Sequence, residues 1–199
     1  ASRVVLGHGQ TEPGEPRQEA QFLAGFIALR RLDDAATAAR QFALVREDSR
    51  SVITRARSHY WEGLALSALG RQAEARAQWG EAAALSVAFY GQLASLALGE
   101  TPQQLAARIA ATALPRPARE VADHFAGREL VRGVVTLADL WQSDRARTFL
   151  LRMEEVSPDA TDRWLAARLG ALIGRPDHAV WIARRSGADG VILLEDGWP

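Results

Sequence analysis

The chain has 199 residues, and its 24 basic and 24 acidic side chains give a formal net charge of zero. Every basic residue is arginine, and the arginines are spread along the sequence, which disfavours nucleic acid as the main partner. The absence of cysteine excludes disulfides, thiolate metal ligands and a cysteine nucleophile. The sequence contains no run of about 18 apolar residues, so it predicts no transmembrane segment.

The apolar pattern of the first half predicts short helices. A brief apolar run at residues 4–6 precedes a glycine-containing turn and is interpreted as the end of a helix. From residue 19 to residue 98 apolar side chains recur with the 3.6-residue period of an α-helix. Breaks in this period fall at residues 33–34, near residues 48–49, at Gly70 and near residues 85–86.

A helix-pair pattern recurs within this segment. One copy contains Gly63, Ala75 and Trp79, and an earlier copy contains Gly25, Ala38 and Phe42, with one extra residue in its turn. These spacings are typical of a tetratricopeptide-like unit, in which a glycine lies where the paired helices touch and an alanine lies opposite. We therefore expect an all-α fold, an α-superhelix or solenoid of antiparallel helix pairs.

The second half continues in the same way. A helix is predicted from Phe89 to Gly99, and Thr101-Pro102 is typical of an N-cap followed by a proline in the first helical turn. The two prolines within residues 114–117 predict a connector. Weaker copies of the pair follow around Gly133, Ala146 and Leu150, and around Leu169, Gly174, Ala179 and Ala183. We expect a single domain over residues 1–199, with a sub-boundary near residues 114–117.

The sequence contains no recognisable catalytic, metal or cofactor motif. Its four histidines, at positions 8, 59, 124 and 178, have no ligand-type spacing. We expect His59 to pack or to lie at the surface, and the other three to be solvated. The neighbouring acids at 33–34, 154–155 and 159/162 favour solvation and helix capping over acid-base catalysis.

The tryptophans have two interpretations, packing between helices and stacking on a sugar ring. Trp79 and Trp181 are expected to fill gaps between helix pairs. Trp61 falls one place off the predicted buried stripe, so it is a candidate for stacking on a sugar ring.

Several segments resemble the soluble lytic murein transglycosylases. The segments are residues 19–30, residues 59–63 with 69–71, the run Phe89-Tyr90-Gly91-Gln92-Leu93-Ala94, residues 174–180 and residues 190–199. The run at 89–94 is the most specific of them. In that family an α-superhelical region precedes a lysozyme-like domain, whose catalytic glutamate lies in a Glu-Ser motif absent from this chain.

The resemblance implies a function. The chain is expected to be the superhelical module of a periplasmic enzyme that cleaves the β-1,4 bonds of peptidoglycan to 1,6-anhydro products, with no cofactor and with the chemistry in the separate catalytic domain. The module would shape the passage of glycan strands. Stem-peptide carboxylates would contact arginines that begin helices, weakly and in a salt-sensitive manner. These are Arg55, Arg57, Arg128 and Arg132.

A second interpretation stays open. Tetratricopeptide-like arrays also serve as protein-protein adaptors, with a concave face that binds a peptide or helix. Composition does not separate the two functions.

Overall fold

The computed structural model describes residues 7, 9–47, 49–112, 117–157 and 159–194. The expected helix end at residues 4–6, His8, residue 48, the connector at 114–116, Pro158 and the tail at 195–199 lie outside the described residues. The chain divides into two compact units, Ala1–Thr112 and Ala113–Pro199. This division adjoins the sub-boundary near residues 114–117, and the single domain over the whole chain stays a prediction.

The described residues form helices and no strand, which confirms the predicted all-α, solenoid-like fold. The first unit contains α1 (Glu15–Arg31), α2 (Ala35–Glu47), α3 (Val52–Ala68), α4 (Gln72–Ala84), α5 (Phe89–Ala97) and α6 (Pro102–Ala110). The second contains α7 (Arg119–Ala126), α8 (Glu129–Asp139), a short 3₁₀ helix (Ser143–Ala146), α9 (Arg147–Glu155), α10 (Ala160–Leu172) and α11 (Pro176–Ala188). None of these helices is long and apolar enough to cross a membrane.

In the first unit, each helix packs against the next along the chain, and α5 also contacts α3. Turns of only a few residues join them, so neighbouring helices run antiparallel. Small residues set the distance between the paired helices. Ala38 and Ala75 are fully buried, as expected for the small residue of each pair. The core of this unit is built largely from alanine, with Phe42 and Trp79 as its large members.

One contact recurs between the two members of a pair. A Cβ added to Gly25 would lie 2.8 Å from Phe42 Cε1, and one added to Gly63 would lie 2.6 Å from Trp79 Cδ1. In the second unit, a Cβ on Gly133 would lie 3.2 Å from Phe149 Cε1. One more residue separates Gly25 from Phe42 than separates the glycine from the aromatic residue in the other two pairs, because the turn of the first pair carries the extra residue. The predicted repeat register is therefore confirmed at Gly63 and Ala75.

The turns follow the predicted chemistry. Asp34 Oδ1 accepts a hydrogen bond from the Thr37 amide at 2.9 Å and so starts α2. Thr101 forms a capping box with Gln104, and Pro102 occupies the first turn of α6. In the second unit, Asp159 accepts from the amide of Asp162 at 2.9 Å. Asp34 and Asp159 thus serve as helix caps, as expected, whereas Glu154 and Asp162 were expected to be solvated or to cap a helix and are instead buried and paired with Arg185 and Arg128.

The second unit has its own apolar core, which includes Val134, Leu150, Met153 and Ile182. Its most extensive helix contact is between α10 and α11. The expectation that His178 is solvated is wrong, because only 4% of this residue is exposed. The first turn of α11 folds back onto α10, where a Cβ on Gly170 would lie 3.6 Å from His178 Cβ. The tight turn at Gly174 therefore buries the histidine.

Candidate functional site

Six aromatic side chains form a continuous row in the first unit, which we call the aromatic face. It consists of Phe22 and Phe26 of α1, Tyr60 and Trp61 of α3, and Phe89 and Tyr90 of α5. Five of them are half-buried, and Phe89 is 66% exposed. Alternate helices of the array contribute these rings, since the first members of successive helix pairs lie side by side. The face therefore extends across three pairs.

The rings touch one another from α1 to α5. The Trp61 centroid lies 5.9 Å from that of Phe22 and 5.2 Å from that of Phe26, in edge-to-face geometry. Tyr60 lies 6.2 Å from Trp61 and 5.6 Å from Tyr90, and Tyr90 lies 5.2 Å from Phe89. Edge-to-face and tilted contacts of this kind are favourable for aromatic rings. The face is consequently one continuous surface rather than a set of separate side chains.

Trp61 lies near the middle of this face. Its ring also lies 5.8 Å from the buried ring of Phe42, so the side chain is part of the core on one side and reaches the surface on the other. Its Nε1 is buried and has no hydrogen-bond partner among the described residues. The indole nitrogen is the only polar atom of the side chain, so the exposed part of that side chain is hydrocarbon. Trp61 thus offers a ligand stacking or apolar contact.

Arg57 borders the face beside Phe22. Its guanidinium carbon lies 4.2 Å from the centroid of the Phe22 ring, which is cation-π geometry. The same guanidinium forms an ion pair with Glu19 of α1. Because of this ion pair with the exposed Glu19, a ligand carboxylate that reaches Arg57 meets a guanidinium whose charge is already partly balanced.

The run at residues 89–94 builds one end of the face. A Cβ on Gly91 would lie 2.7 Å from the Ala82 carbonyl oxygen and closer still to that of Leu85, so glycine allows α5 to approach the end of α4. Gln92 donates a hydrogen bond to the Ser86 carbonyl at 3.1 Å, and Ala94 is fully buried. These contacts explain the run as a structural device, apart from Phe89, whose ring is mostly exposed.

The other candidate arginines differ in whether their guanidinium groups form ion pairs. Arg55 in α3 and Arg132 in α8 are exposed, and neither forms an ion pair with a described residue. Arg128 binds Asp162 through two hydrogen bonds of 2.8 and 3.0 Å, and Asp162 is buried. Its guanidinium therefore joins the start of α8 to the start of α10. Arg55 and Arg57 belong to the first unit, and Arg128 and Arg132 belong to the second.

The carboxyls whose pKa is shifted differ from the general acid of a glycosidase. A general acid at a glycosidic oxygen needs a raised pKa. Four described carboxyls have a shifted pKa, and each is lowered: Asp34 by hydrogen bonds from Thr37, Glu74 by Arg71, Glu100 by Arg108, and Asp177, to about 2, by Arg175. No group of three or more potential metal ligands comes together in the described part of the chain.

Sequence reasoning singled out Trp61 and missed the rest of the aromatic face. A signal was present, because Phe22 and Tyr60 occupy corresponding positions of the two repeat copies. Phe89 and Tyr90 follow in the next helix of the same kind. A comparison of the aromatic residues in the first helix of each successive pair would have predicted the aromatic face.

The fold and this face define a class of protein, an all-α helical-repeat protein with an aromatic surface. Comparisons with protein-family models, with curated proteins and with solved structures found no match for this chain.

Proposed function

We propose that this chain is the non-catalytic superhelical module of a periplasmic peptidoglycan lytic transglycosylase and that its aromatic face contacts the glycan. The row of six touching rings across α1, α3 and α5 is the observation that supports a binding function. The sequence resemblance, above all the run at residues 89–94, supports the choice of peptidoglycan. The partner is then the catalytic domain of the same parent protein.

The physical argument rests on the shape of a sugar. A pyranose ring has an apolar face of C–H groups, and this face stacks on flat aromatic carbon, whereas its hydroxyl and acetamido groups stay hydrated at the rim. The exposed carbon of Trp61 and Phe89 suits such contacts. The exposed Arg55 and Arg132 add long-range attraction for stem-peptide carboxylates, and Arg57 adds less because Glu19 partly balances its charge. Binding should therefore combine a salt-insensitive stacking part with a salt-sensitive charge part.

Catalysis belongs to the other domain of the parent protein in this proposal. Glycosidic cleavage needs a carboxylic acid held protonated at the leaving oxygen. The buried carboxylates Asp162 and Glu154 are instead committed to Arg128 and Arg185. The chain alone should not release anhydro-muropeptides from purified sacculi.

The test is sedimentation of the chain with purified sacculi across a salt series. Phe89→Ala should weaken binding by about five- to tenfold, since one stacked ring contributes about 1 kcal/mol. Ile53→Ala is the matched control, because Ile53 is an equally exposed apolar side chain, 66%, on α3 outside the row of rings. Trp61→Ala should weaken binding further, with a melting curve recorded in parallel because the ring also contacts the buried ring of Phe42.

Two results would overturn the proposal. One is the absence of any binding to sacculi at low salt. The other is turnover of sacculi by this chain that disappears when one of its own carboxylates is replaced.

The adaptor interpretation is the second candidate, and α5 favours it. Phe89 and Leu96 are 66% and 46% exposed, and they lie two turns apart on one side of the helix. Two apolar anchors at this spacing suit an amphipathic helix of a protein partner. If Phe89→Ala and Leu96→Ala leave sacculus binding unchanged but abolish capture of one defined protein partner, the adaptor function replaces the glycan-binding function.

A further inference from the structure

Five helices of the described chain end with the same pair of backbone hydrogen bonds. In each, the residue after the C-cap donates to the carbonyl three positions back, and its successor donates to the carbonyl five positions back. This closure requires a left-handed residue, and glycine fits it because it has no Cβ. Four of the five positions are glycine, with φ between 76° and 95°. They are Gly70, Gly99, Gly174 and Gly190.

The fifth position, after α8, is Trp141. Its φ is 57°, its amide donates to the Ala138 carbonyl at 2.9 Å, and the Gln142 amide donates to the Leu137 carbonyl at 2.7 Å. A left-handed conformation is unfavourable for a bulky side chain. Burial does not offset the strain, since Trp141 is 95% exposed. The chain thus places its most exposed described tryptophan where glycine would be more stable.

Strain that the fold does not need is typical of a position kept for binding. We propose that Trp141 is a stacking platform for one sugar ring of a glycan strand, a contact in the second unit separate from the aromatic face. The assignment of a glycan rests on the proposed function above. The two backbone hydrogen bonds restrain the turn, so little backbone entropy is lost when a ligand binds.

The residues around Trp141 favour a sugar over an apolar partner. Leu140 is the only exposed apolar neighbour in the turn, and the next residues are polar. Arg145 donates a hydrogen bond to Gln142 Oε1 at 3.1 Å, which holds both side chains together beside the turn. Asp144 is fully exposed. One flat ring with a polar border complements a pyranose, which has one apolar face and a rim of hydroxyl and acetamido groups.

A protein interface or a membrane would require a different surface. Anchor residues of protein interfaces lie among other apolar side chains that exclude water. Membrane-surface binding needs a wider apolar face with basic residues, whereas the exposed apolar surface of this turn is limited to Leu140 and Trp141, and Asp144 pairs with the basic Arg175 at 3.1 Å. Neither class matches the single exposed indole found here.

The test uses Trp141→Gly, because glycine relieves the backbone strain while it removes the ring. We expect the melting midpoint to stay the same or to rise, and the affinity for a soluble hexamer of β-1,4-linked N-acetylglucosamine to fall about five- to tenfold. Trp141→Tyr keeps a ring and should retain part of the affinity. Asp33→Gly is the matched control, since Asp33 is also left-handed, with φ 56°, but carries no ring. It should bind like the unmodified chain.

The outcomes separate this proposal from the function on which it rests. Equal hexamer affinity for the unmodified chain and Trp141→Gly overturns the platform, as does a melting midpoint several degrees lower in the glycine variant. No binding of the hexamer by the unmodified chain also overturns it. If the hexamer binds through Trp141 but sacculi do not bind, the platform stands and the peptidoglycan function fails. If sacculi bind both chains equally, the function stands and the platform fails.

Discussion

At the scale of single residues, glycine sets how closely the helices approach. Gly63 lies against the edge of the Trp79 indole, whose Nε1 donates to the Tyr60 carbonyl at 3.2 Å. Gly91 lies against two backbone carbonyls at the end of α4. The obstacle is a side chain in the first case and backbone in the second. A side chain can move by a small rotation, whereas the backbone requires a shift of the whole helix.

This difference predicts an order of stability. Gly63→Ala should cost about 1 to 3 kcal/mol of unfolding free energy, and Gly91→Ala should cost more than Gly63→Ala. Gly80→Ala is the matched control within α4, because no atom lies within 4 Å of its added Cβ, and it should gain about 0.5 to 1 kcal/mol. Chemical denaturation measures all three. Equal stability of the three variants would mean that the helix contacts are wrong.

The buried histidine of α3 gives a second prediction at this scale. Burial lowers the pKa of His59, and the hydrogen bond to Gln78 Oε1, at 2.7 Å, raises the pKa only in part. Nearby Arg46 lowers this pKa further, whereas Glu62 and Glu81 raise it. A lowered folded-state pKa means that the unfolded chain takes up the proton first. The stability contributed by neutral His59 is therefore complete above the unfolded value of about 6.5 and is lost as pH falls below it.

The melting midpoint should consequently fall between pH 7 and pH 5. His59→Gln should show a smaller fall over this interval, whatever its stability at pH 7, because glutamine does not titrate. His124→Gln is the control, since His124 is exposed. An identical pH dependence in the His59 variant and the unmodified chain would contradict the assignment.

At the scale of elements, α6 depends on one arginine. Leu105 is its only buried residue. Arg108 donates to the Ala83 carbonyl at 3.0 Å, to Ser95 Oγ at 2.7 Å and to both oxygens of Glu100 at 3.0 and 2.9 Å. The guanidinium thereby ties α6 to the last turn of α4 and to α5. A planar group with five donors makes these bonds together, and an ammonium group does not.

Arg108→Lys should therefore destabilise α6 although the charge is kept. We expect a loss of about 1 to 2 kcal/mol, concentrated in faster amide hydrogen exchange over residues 102–110. Arg76→Lys is the matched control, because Arg76 is an exposed arginine of α4. Unchanged exchange in α6 of the Arg108 variant would show that apolar contacts alone hold this helix.

At the scale of the whole molecule, each unit has its own apolar core. One core is built on Phe42 and Trp79, and the other on Leu150, Met153 and Ile182. A repeat array is stabilised mainly by contacts between neighbouring helices. A unit that contains its own apolar core and its own pairs of packed helices therefore has what it needs to fold.

We predict that residues 1–112 fold alone into a helical, cooperatively unfolding fragment. The control is residues 1–70, which lack α4 and so lose Trp79 from its contact with Gly63. This shorter fragment should have little helical circular dichroism. A non-cooperative or unfolded 1–112 fragment would show that the first unit needs the second.

The sequence by itself determined the helices, their pairing and their turns. These features depend on neighbours within one or two turns of chain, such as the 3.6-residue period, the acids that cap helices and the recurrence of Gly25 and Gly63. The all-α, solenoid-like fold followed from them because helices with one apolar stripe must stack to bury it. The peptidoglycan function, by contrast, stays a proposal that rests on resemblance and on the aromatic face.

Only the tertiary structure decided which side chains are free to bind. Trp61 was recognised alone, but most other members of the aromatic face come from α1 and α5, which are distant from it along the chain. Arg128 was expected to be available, yet its guanidinium holds Asp162, which lies on another helix much later in the sequence. His178 was expected in solvent and is buried against α10. Side-chain exposure and ion pairing depend on which helix faces bring distant residues together, and no local pattern carries that information.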